Sequence, residues 1–149
     1  MKPTILALDL EGTLISNAIS QIPRPGLYRF LEHAQKRFEH LMMFTTVPQE
    51  RFRTIATLLV LEGHAPEWFA RLHYVSWSGK TKDLRYASRN LGEVLLLDDY
   101  RPYVHPGQEH LWVRIQPFES PYPQDDTGLR LAQQHLAERI AVLARNGRV

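Results

Sequence analysis

The stretch that decides the fold lies near the amino terminus, where a short apolar run leads directly into two acidic side chains. It reads Ile5-Leu6-Ala7-Leu8-Asp9-Leu10-Glu11-Gly12-Thr13-Leu14. An uninterrupted apolar run of this length is typical of a strand buried on both faces of a parallel sheet. Asp9 and Glu11 follow at the carboxyl end of that strand, and the Gly-Thr pair indicates a turn. Carboxylates in such a position are suited to holding a hard cation beside a nucleophile.

Downstream of this strand, apolar runs alternate with amphipathic stretches, which predicts parallel strands joined by helical crossovers. The predicted strands cover residues 4–8, 40–44, 73–75, 94–97 and 111–115. The predicted helices cover residues 24–36, 48–63, 66–71, 83–90 and 126–145. Pro48 marks one helix start and Gly63 marks its end, while Asp126-Thr127 is expected to cap the last helix. Since no linker or repeat divides the chain, we expect one domain over residues 1–149.

Polar side chains occur at the carboxyl ends of three predicted strands. They are Asp9 with Glu11, Thr45 with Thr46, and Asp98 with Asp99. Each pair taken alone has a simple structural interpretation, because Asp and Thr often only stabilise the turn after a strand. In an open parallel sheet, however, the carboxyl ends of the strands form the edge at which ligands bind. The joint placement therefore favours one shared site.

The composition limits the chemistry of that site. The chain has no cysteine, which excludes disulfides, thiolate zinc sites and a cysteine nucleophile. Its net charge of +2 comes without any cluster of basic residues, which argues against nucleic acid as a partner. With neither a signal-like segment nor a run long enough to span a bilayer, we expect a cytoplasmic protein without a membrane anchor.

Four segments of the chain resemble the motifs of the haloacid dehalogenase superfamily of phosphotransferases. The first motif of that superfamily is similar to the segment from Asp9 to Leu14, and the second is similar to the strand that ends at Thr45. The third and fourth are similar to Lys82 and to the apolar strand that ends in Asp98-Asp99. All four segments occur in the order expected of the superfamily.

A closer resemblance is to the small C-terminal-domain phosphatases, also called NLI interacting factor-like phosphatases. The matching segments are Arg24-Pro25-Gly26-Leu27 with Phe30-Leu31, Phe44-Thr45-Thr46, Lys82-Asp83-Leu84 and Asp125-Asp126-Thr127. This resemblance covers nearly the whole chain. It implies an α/β fold, a three-layer Rossmann-like parallel sheet with helices on both faces and no cap domain.

The resemblance also implies a magnesium-dependent phosphatase that works through an aspartyl-phosphate. Asp9 would be the nucleophile and the side chain of Glu11 the general acid and base. Thr45 would bind a transferring oxygen, and Lys82 would balance the negative charge, with Lys80 as the rival lysine. The implied Mg²⁺ ligands are the Asp9 carboxylate, the main-chain carbonyl of Glu11, and an acid from Asp98 or Asp99.

Two features depart from the pattern of that branch. Glu11 stands where the second acid is usually Asp, and its extra methylene changes the reach of the carboxylate. A misplacement of about 1 Å at a reacting centre can cost about 100-fold in rate. In addition, only about ten residues separate Thr13 from Arg24, too few for the strand-rich flap of those phosphatases. We therefore expect an open site.

The sequence leaves three functional interpretations open. The first is a phosphatase that acts on a phosphoprotein, which an open site favours. The second is a phosphatase for a small molecule such as a sugar phosphate or a nucleotide. The third is a catalytically impaired binding or scaffold protein in which Glu11 reflects relaxed constraint. The partner in each case is a phosphorylated molecule, and the sequence does not separate a monomer from a homo-oligomer.

Overall fold

A parallel sheet of five strands forms the centre of the protein, and the computed structural model describes residues 3–146. The first and last residues of the predicted domain, 1–2 and 147–149, lie outside the described range. The strands are β1 (Ile5–Leu8), β2 (His40–Met43), β3 (His73–Tyr74), β4 (Val94–Asp98) and β5 (Trp112–Arg114). Their order in the sheet is β3-β2-β1-β4-β5, and every pairing is parallel. The expected α/β fold with a Rossmann-like parallel sheet is confirmed.

The register of the two central pairings aligns the strand ends that carry polar residues. Leu8, the last residue of β1, pairs with Met43 of β2 and with Leu97 of β4. All the residues of β1 and β4 are buried, as expected for strands covered on both faces. The residues after Leu8, Met43 and Leu97 therefore emerge together at one edge of the sheet.

Within residues 3–146, three α-helices pack against this sheet. They are α1 (Leu27–Arg37), α2 (Gln49–Leu61) and α3 (Gly128–Asn146). Each buries one apolar stripe, which in α1 consists of Leu27, Phe30, Leu31 and Ala34. Burial of each such large side chain contributes about 1.5–3 kcal/mol. The last helix starts where the sequence predicts, because the Asp126 carboxylate accepts a hydrogen bond from the Gly128 N–H.

The prediction of a helix over residues 83–90 is wrong. Only a 3₁₀ turn forms there, at Leu84–Tyr86, and a second one follows at Leu91–Glu93. The Asp83 carboxylate accepts from the Arg85 N–H, and the Ser88 hydroxyl oxygen accepts from the Asn90 N–H. Such local side-chain bonds compete with the hydrogen bonds of an α-helix and end it early. The segment predicted as a helix at 66–71 is likewise a 3₁₀ helix, Glu67–Arg71.

The segment between β1 and α1, residues 9–26, forms a loop in which Ile15 bridges both Glu11 and Pro23. No cap domain is present within residues 3–146, which agrees with the expectation from the sequence. Among the helices in this part of the chain, none is both long enough and apolar enough to cross a membrane.

Candidate active site

Three aspartates come together at the carboxyl edge of the sheet. Asp9 follows β1, Asp98 ends β4, and Asp99 comes next along the chain. One carboxylate oxygen from each lies within 4.8 Å of the others. Asp9 and Asp98 are buried and Asp99 is half-buried, so the cluster is set into the protein surface rather than spread over it. Oxygen donors at this spacing have the chemistry that Mg²⁺ prefers.

Lys82 is the cation that the protein itself supplies to this cluster. Its side chain is fully buried, and Nζ donates to Asp9 Oδ1 at 2.9 Å and to Asp98 Oδ2 at 2.6 Å. Burial alone would lower the pKa of Lys82, but the Asp9 and Asp98 carboxylates more than offset this and raise it. The ammonium therefore stays charged. The rival Lys80 is exposed.

The backbone and the neighbouring ring both hold Lys82 in place. Its N–H donates to the carbonyl oxygen of Tyr103 at 2.6 Å, and Nζ lies 5.0 Å from the centroid of the Tyr103 ring. On the adjoining residues, Gln108 accepts from the Leu84 N–H at 2.9 Å and donates to Asp83 Oδ1 at 2.8 Å. The loop that carries Lys82 is thus joined by hydrogen bonds to the segment that follows β4.

The negative charge of the site exceeds what Lys82 can neutralise. Burial, followed by the charge of Asp9, raises the pKa of Asp98 to about 6. Burial, a hydrogen bond with Asp9 and the charges of Asp9 and Asp98 raise the pKa of Asp99 to about 8. With one ammonium facing three carboxylates, the donor set fits an additional divalent cation.

The turn after β1, at Gly12 and Thr13, contacts Asp9 and Asp99 of the cluster. The Thr13 hydroxyl donates to Asp9 Oδ2 at 2.8 Å and lies 3.3 Å from Asp99 Oδ1. Gly12 has φ of 77°, and a Cβ there would lie 2.5 Å from Asp99 Oδ2. A side chain is therefore excluded twice, by backbone conformation and by space. The Gly-Thr pair after the acids predicts only a turn, and these contacts with Asp9 and Asp99 were not expected from it.

Thr45 lies two residues after β2, the strand that pairs with β1. Phe44 donates its N–H to the Leu8 carbonyl, which brings the end of β2 next to the end of β1. The Thr45 hydroxyl oxygen accepts from the Val47 N–H at 3.1 Å, and its carbonyl accepts from the Trp77 indole N–H at 2.8 Å. A hollow of about 410 Å³ opens beside it, and Trp77 forms part of the wall.

Glu11 is the predicted residue whose side chain lies apart from the aspartates. Its carboxylate is half-exposed, and Oε2 accepts a hydrogen bond from the Ala18 N–H at 2.8 Å. The group of carboxylates close enough to share a cation contains Asp9, Asp98 and Asp99 and not the Glu11 side chain. The expected contribution of Glu11 through its main-chain carbonyl stays a prediction.

The sequence matches the model of the NLI interacting factor-like phosphatase family over residues 4–145. This chain belongs to the NLI interacting factor-like phosphatases. The resemblance seen in the sequence is thereby confirmed, and with it the haloacid dehalogenase superfamily. No curated protein matches the sequence.

Membership of the NLI interacting factor-like phosphatases indicates the reaction class. It is the hydrolysis of phosphoric monoesters. Phosphatases of this superfamily generally use a divalent metal, and the three clustered aspartates could bind one. The substrate of such a phosphatase is a phosphorylated molecule.

Proposed function

We propose that the protein is a magnesium-dependent phosphomonoesterase in which Asp9 carries the phosphoryl group. The observation that supports this most directly is the position of Lys82, whose Nζ bridges Asp9 Oδ1 and Asp98 Oδ2. A buried carboxylate between a fixed ammonium and two further acids is oriented for attack and can share its charge with a bound phosphate. An aspartate kept only for structure would not need Asp99 beside it.

The proposed cation would be held by Asp9, by the Asp98-Asp99 pair and by the main-chain carbonyl of Glu11. When bound, Mg²⁺ would supply neutralisation of the phosphate charge, which otherwise repels a carboxylate nucleophile. Lys82 keeps the Asp9 side chain in one orientation and neutralises part of the charge around it. The Thr13 hydroxyl holds the other Asp9 oxygen.

The reaction we propose has two steps. In the first, an Asp9 carboxylate oxygen attacks phosphorus in line, an Asp9 O–P bond forms, and the bond to the leaving oxygen breaks as Glu11 protonates it. In the second, water attacks the same phosphorus and gives a proton to Glu11, and the Asp9 O–P bond breaks to release phosphate. Glu11 thus acts first as acid and then as base. Thr45 donates to a transferring phosphoryl oxygen.

The decisive experiment is turnover of an aryl phosphate by the purified protein and by the Asp9→Asn variant. We expect hydrolysis that depends on added Mg²⁺, stops with a chelator and is lost in Asp9→Asn. With beryllofluoride and Mg²⁺, the parent protein should bind one beryllofluoride per chain and the variant none. Absence of Mg²⁺-dependent turnover on every phosphomonoester tried, or full activity of Asp9→Asn, contradicts the proposal.

The substrate class we propose is a phosphate carried by a protein. This is supported by the lack of a cap among the described residues and by the segment between β1 and α1, which contains no named helix or strand; together they leave the edge of the sheet accessible to a large substrate. A panel of phosphopeptides, sugar phosphates and nucleotides tests it through kcat/KM. A preference of about tenfold or more for phosphopeptides supports it, and preference for a small phosphate contradicts it.

The position of Glu11 supports a second candidate, a protein that binds phosphate at Asp9 but turns it over poorly. The hydrogen bond from Ala18 holds the Glu11 carboxylate in the loop rather than beside the aspartates. Glu11→Asp would lose this bond because the side chain is shorter by one methylene. Stoichiometric beryllofluoride binding without turnover, together with activity gained by Glu11→Asp, would favour this candidate over the enzyme.

A further inference from the structure

A buried arginine outside the catalytic set holds the turn that follows the proposed nucleophile. Arg24 is 1% exposed, and its guanidinium makes a two-point ion pair with Asp126, from Nε to Oδ2 at 2.7 Å and from Nη2 to Oδ1 at 3.1 Å. Its third nitrogen, Nη1, donates to the carbonyl oxygens of Gly12 and Thr13, each at 3.3 Å. One planar group therefore joins the loop before α1, the Gly12-Thr13 turn that follows Asp9, and the segment before α3.

The surroundings leave the guanidinium little freedom to move. Its central carbon lies 5.4 Å from the centroid of the Phe118 ring, and the Phe118 N–H donates to the Gly12 carbonyl at 2.8 Å. Gly128 also lies against the guanidinium, since any Cβ there would clash with Nη2. The Gly12 carbonyl is thus held from two directions, by the guanidinium and by the backbone of Phe118.

The turn held in this way is the one that orients the reacting group. Thr13 donates its hydroxyl hydrogen bond to Asp9 Oδ2, and Gly12 packs directly against the Asp99 carboxylate. A shift of the Gly12-Thr13 peptide unit must therefore move either the Asp9 side chain or Asp99. Asp126 is connected to this turn through the guanidinium of Arg24.

Stability alone is a poor reason for a charged pair at this place. A buried ion pair often contributes no more than apolar side chains of similar volume. Only a guanidinium, however, presents donors in a rigid plane that can bind one carboxylate and two carbonyls together. A lysine at residue 24 would keep the charge and lose that geometry.

We propose that Arg24, held by Asp126, is a positioning residue for the phosphatase reaction. It fixes the Gly12-Thr13 turn so that Asp9 and Asp99 keep the geometry needed for attack on phosphorus. The effect on rate rests on the proposed function of Asp9, whereas the effect on the turn does not. The competing explanation is that the pair merely attaches α3 to the rest of the fold.

The test compares Asp126→Asn with its neighbour Asp125→Asn, because Asp125 is exposed and lies next to it in sequence. The first readout is the set of backbone amide resonances of isotope-labelled protein. We expect Asp126→Asn to shift the resonances of Gly12, Thr13 and Asp99, and Asp125→Asn to leave them in place. Unmoved resonances at Gly12 and Thr13 in folded Asp126→Asn overturn the proposal.

The second readout is steady-state kinetics, corrected for the folded fraction measured by thermal unfolding. For Asp126→Asn we expect kcat to fall about 10- to 100-fold, as displacement of a reacting group predicts. KM should change by less than about threefold, since transition-state rather than ground-state contacts are lost. Arg24→Lys, which retains the positive charge, should show the same pattern and serves if Asp126→Asn does not fold.

The outcomes separate the two proposals. If the ion pair is purely structural, Asp126→Asn will lower the unfolding temperature, but the folded variant will keep the kcat of Asp125→Asn. That result overturns the positioning role. If the unmodified protein lacks turnover, the proposed function of Asp9 fails. The amide resonances then decide whether Arg24 and Asp126 set the turn.

Discussion

Glu11 Oε2 accepts a hydrogen bond of 2.8 Å from the backbone N–H of Ala18, so the proposed acid and base is held by the loop that replaces a flap. Arg51 at the start of α2 donates to the carbonyl oxygen of the same Ala18 at 2.6 Å. The loop is thus held through both the N–H and the carbonyl oxygen of Ala18. The Glu11 carboxylate can meet a substrate only where this loop allows it.

Glu11→Gln tests whether that carboxylate transfers protons. Glutamine keeps an oxygen that can accept from Ala18, so the loop should stay in place while the proton is lost. General acid–base groups typically contribute about 10²–10⁴-fold, and we expect a loss in kcat of that order on alkyl phosphates. With nitrophenyl phosphate, whose leaving group needs no proton, we expect a fast release of one nitrophenolate per chain and then slow turnover. Stopped-flow absorbance measures this burst.

The burst distinguishes the two roles of Glu11. If Glu11 is not the acid, the ratio of the rate on alkyl phosphates to the rate on nitrophenyl phosphate should be the same in the variant as in the parent protein. A uniform loss on both substrates without a burst would place the defect in binding or folding. Circular dichroism of the variant provides the control for folding.

Lys82→Met removes the buried ammonium while keeping most of its volume. Because removal of one partner from a buried ion pair typically costs about 3–5 kcal/mol, we expect a loss of that size in the free energy of unfolding at neutral pH. The loss should shrink in acid, where Asp98, whose pKa is about 6, takes up a proton instead. Urea unfolding at acidic and neutral pH measures it. Lys80→Met is the matched control, since Lys80 is exposed and should leave both values unchanged.

Much of the site could be predicted because parallel pairing fixes where strand ends meet. Asp9, Thr45 and Asp98 follow apolar runs whose length and burial are visible in the sequence, and the register brings them to one edge. Lys82 could be chosen over Lys80 from the Lys-Asp-Leu segment, and the structure buries the chosen lysine.

What the sequence did not reveal depends on distant side-chain geometry. Arg24 and Asp126 both lie in segments that resemble the family, but no periodicity indicates that they bind each other across the fold. The failed helix at 83–90 has the opposite cause. Its apolar spacing is helical, whereas the Asp83 and Ser88 side chains bind nearby backbone groups and prevent the helix.

The carboxylates of the site should make the metal-free protein less stable as pH rises. The folded-state pKa values of about 6 for Asp98 and about 8 for Asp99 lie above the unfolded value. An acid with a raised pKa binds more protons in the folded state, so the stability that these two acids contribute is fully present below the unfolded pKa and is lost as pH rises through the folded pKa. With a chelator present, we expect the unfolding temperature to fall as pH rises from the unfolded pKa of an aspartate to about 8.

Added Mg²⁺ should oppose this loss, and its stabilising effect should grow with pH because protons no longer compete for the carboxylates. Differential scanning calorimetry with and without Mg²⁺ measures both effects. Asp99→Asn should flatten the pH dependence of the metal-free protein. A metal-free protein that gains stability over the same range, with Asp99→Asn unchanged, would mean that these carboxylates are not buried against one another.

Gly12→Ala separates the contact with Asp99 from the strain of the backbone. Gly12 has φ of 77° and Gly63 has φ of 80°, but a Cβ would meet Asp99 only at Gly12, while nothing lies within 4 Å of it at Gly63. Both alanine variants should lose about 1–2 kcal/mol from the left-handed backbone conformation. Gly12→Ala should also weaken Mg²⁺ binding, because the new methyl displaces the Asp99 carboxylate. Calorimetric titration of Mg²⁺ into both folded variants measures the difference, and equal affinities would show that Asp99 does not hold the metal from this position.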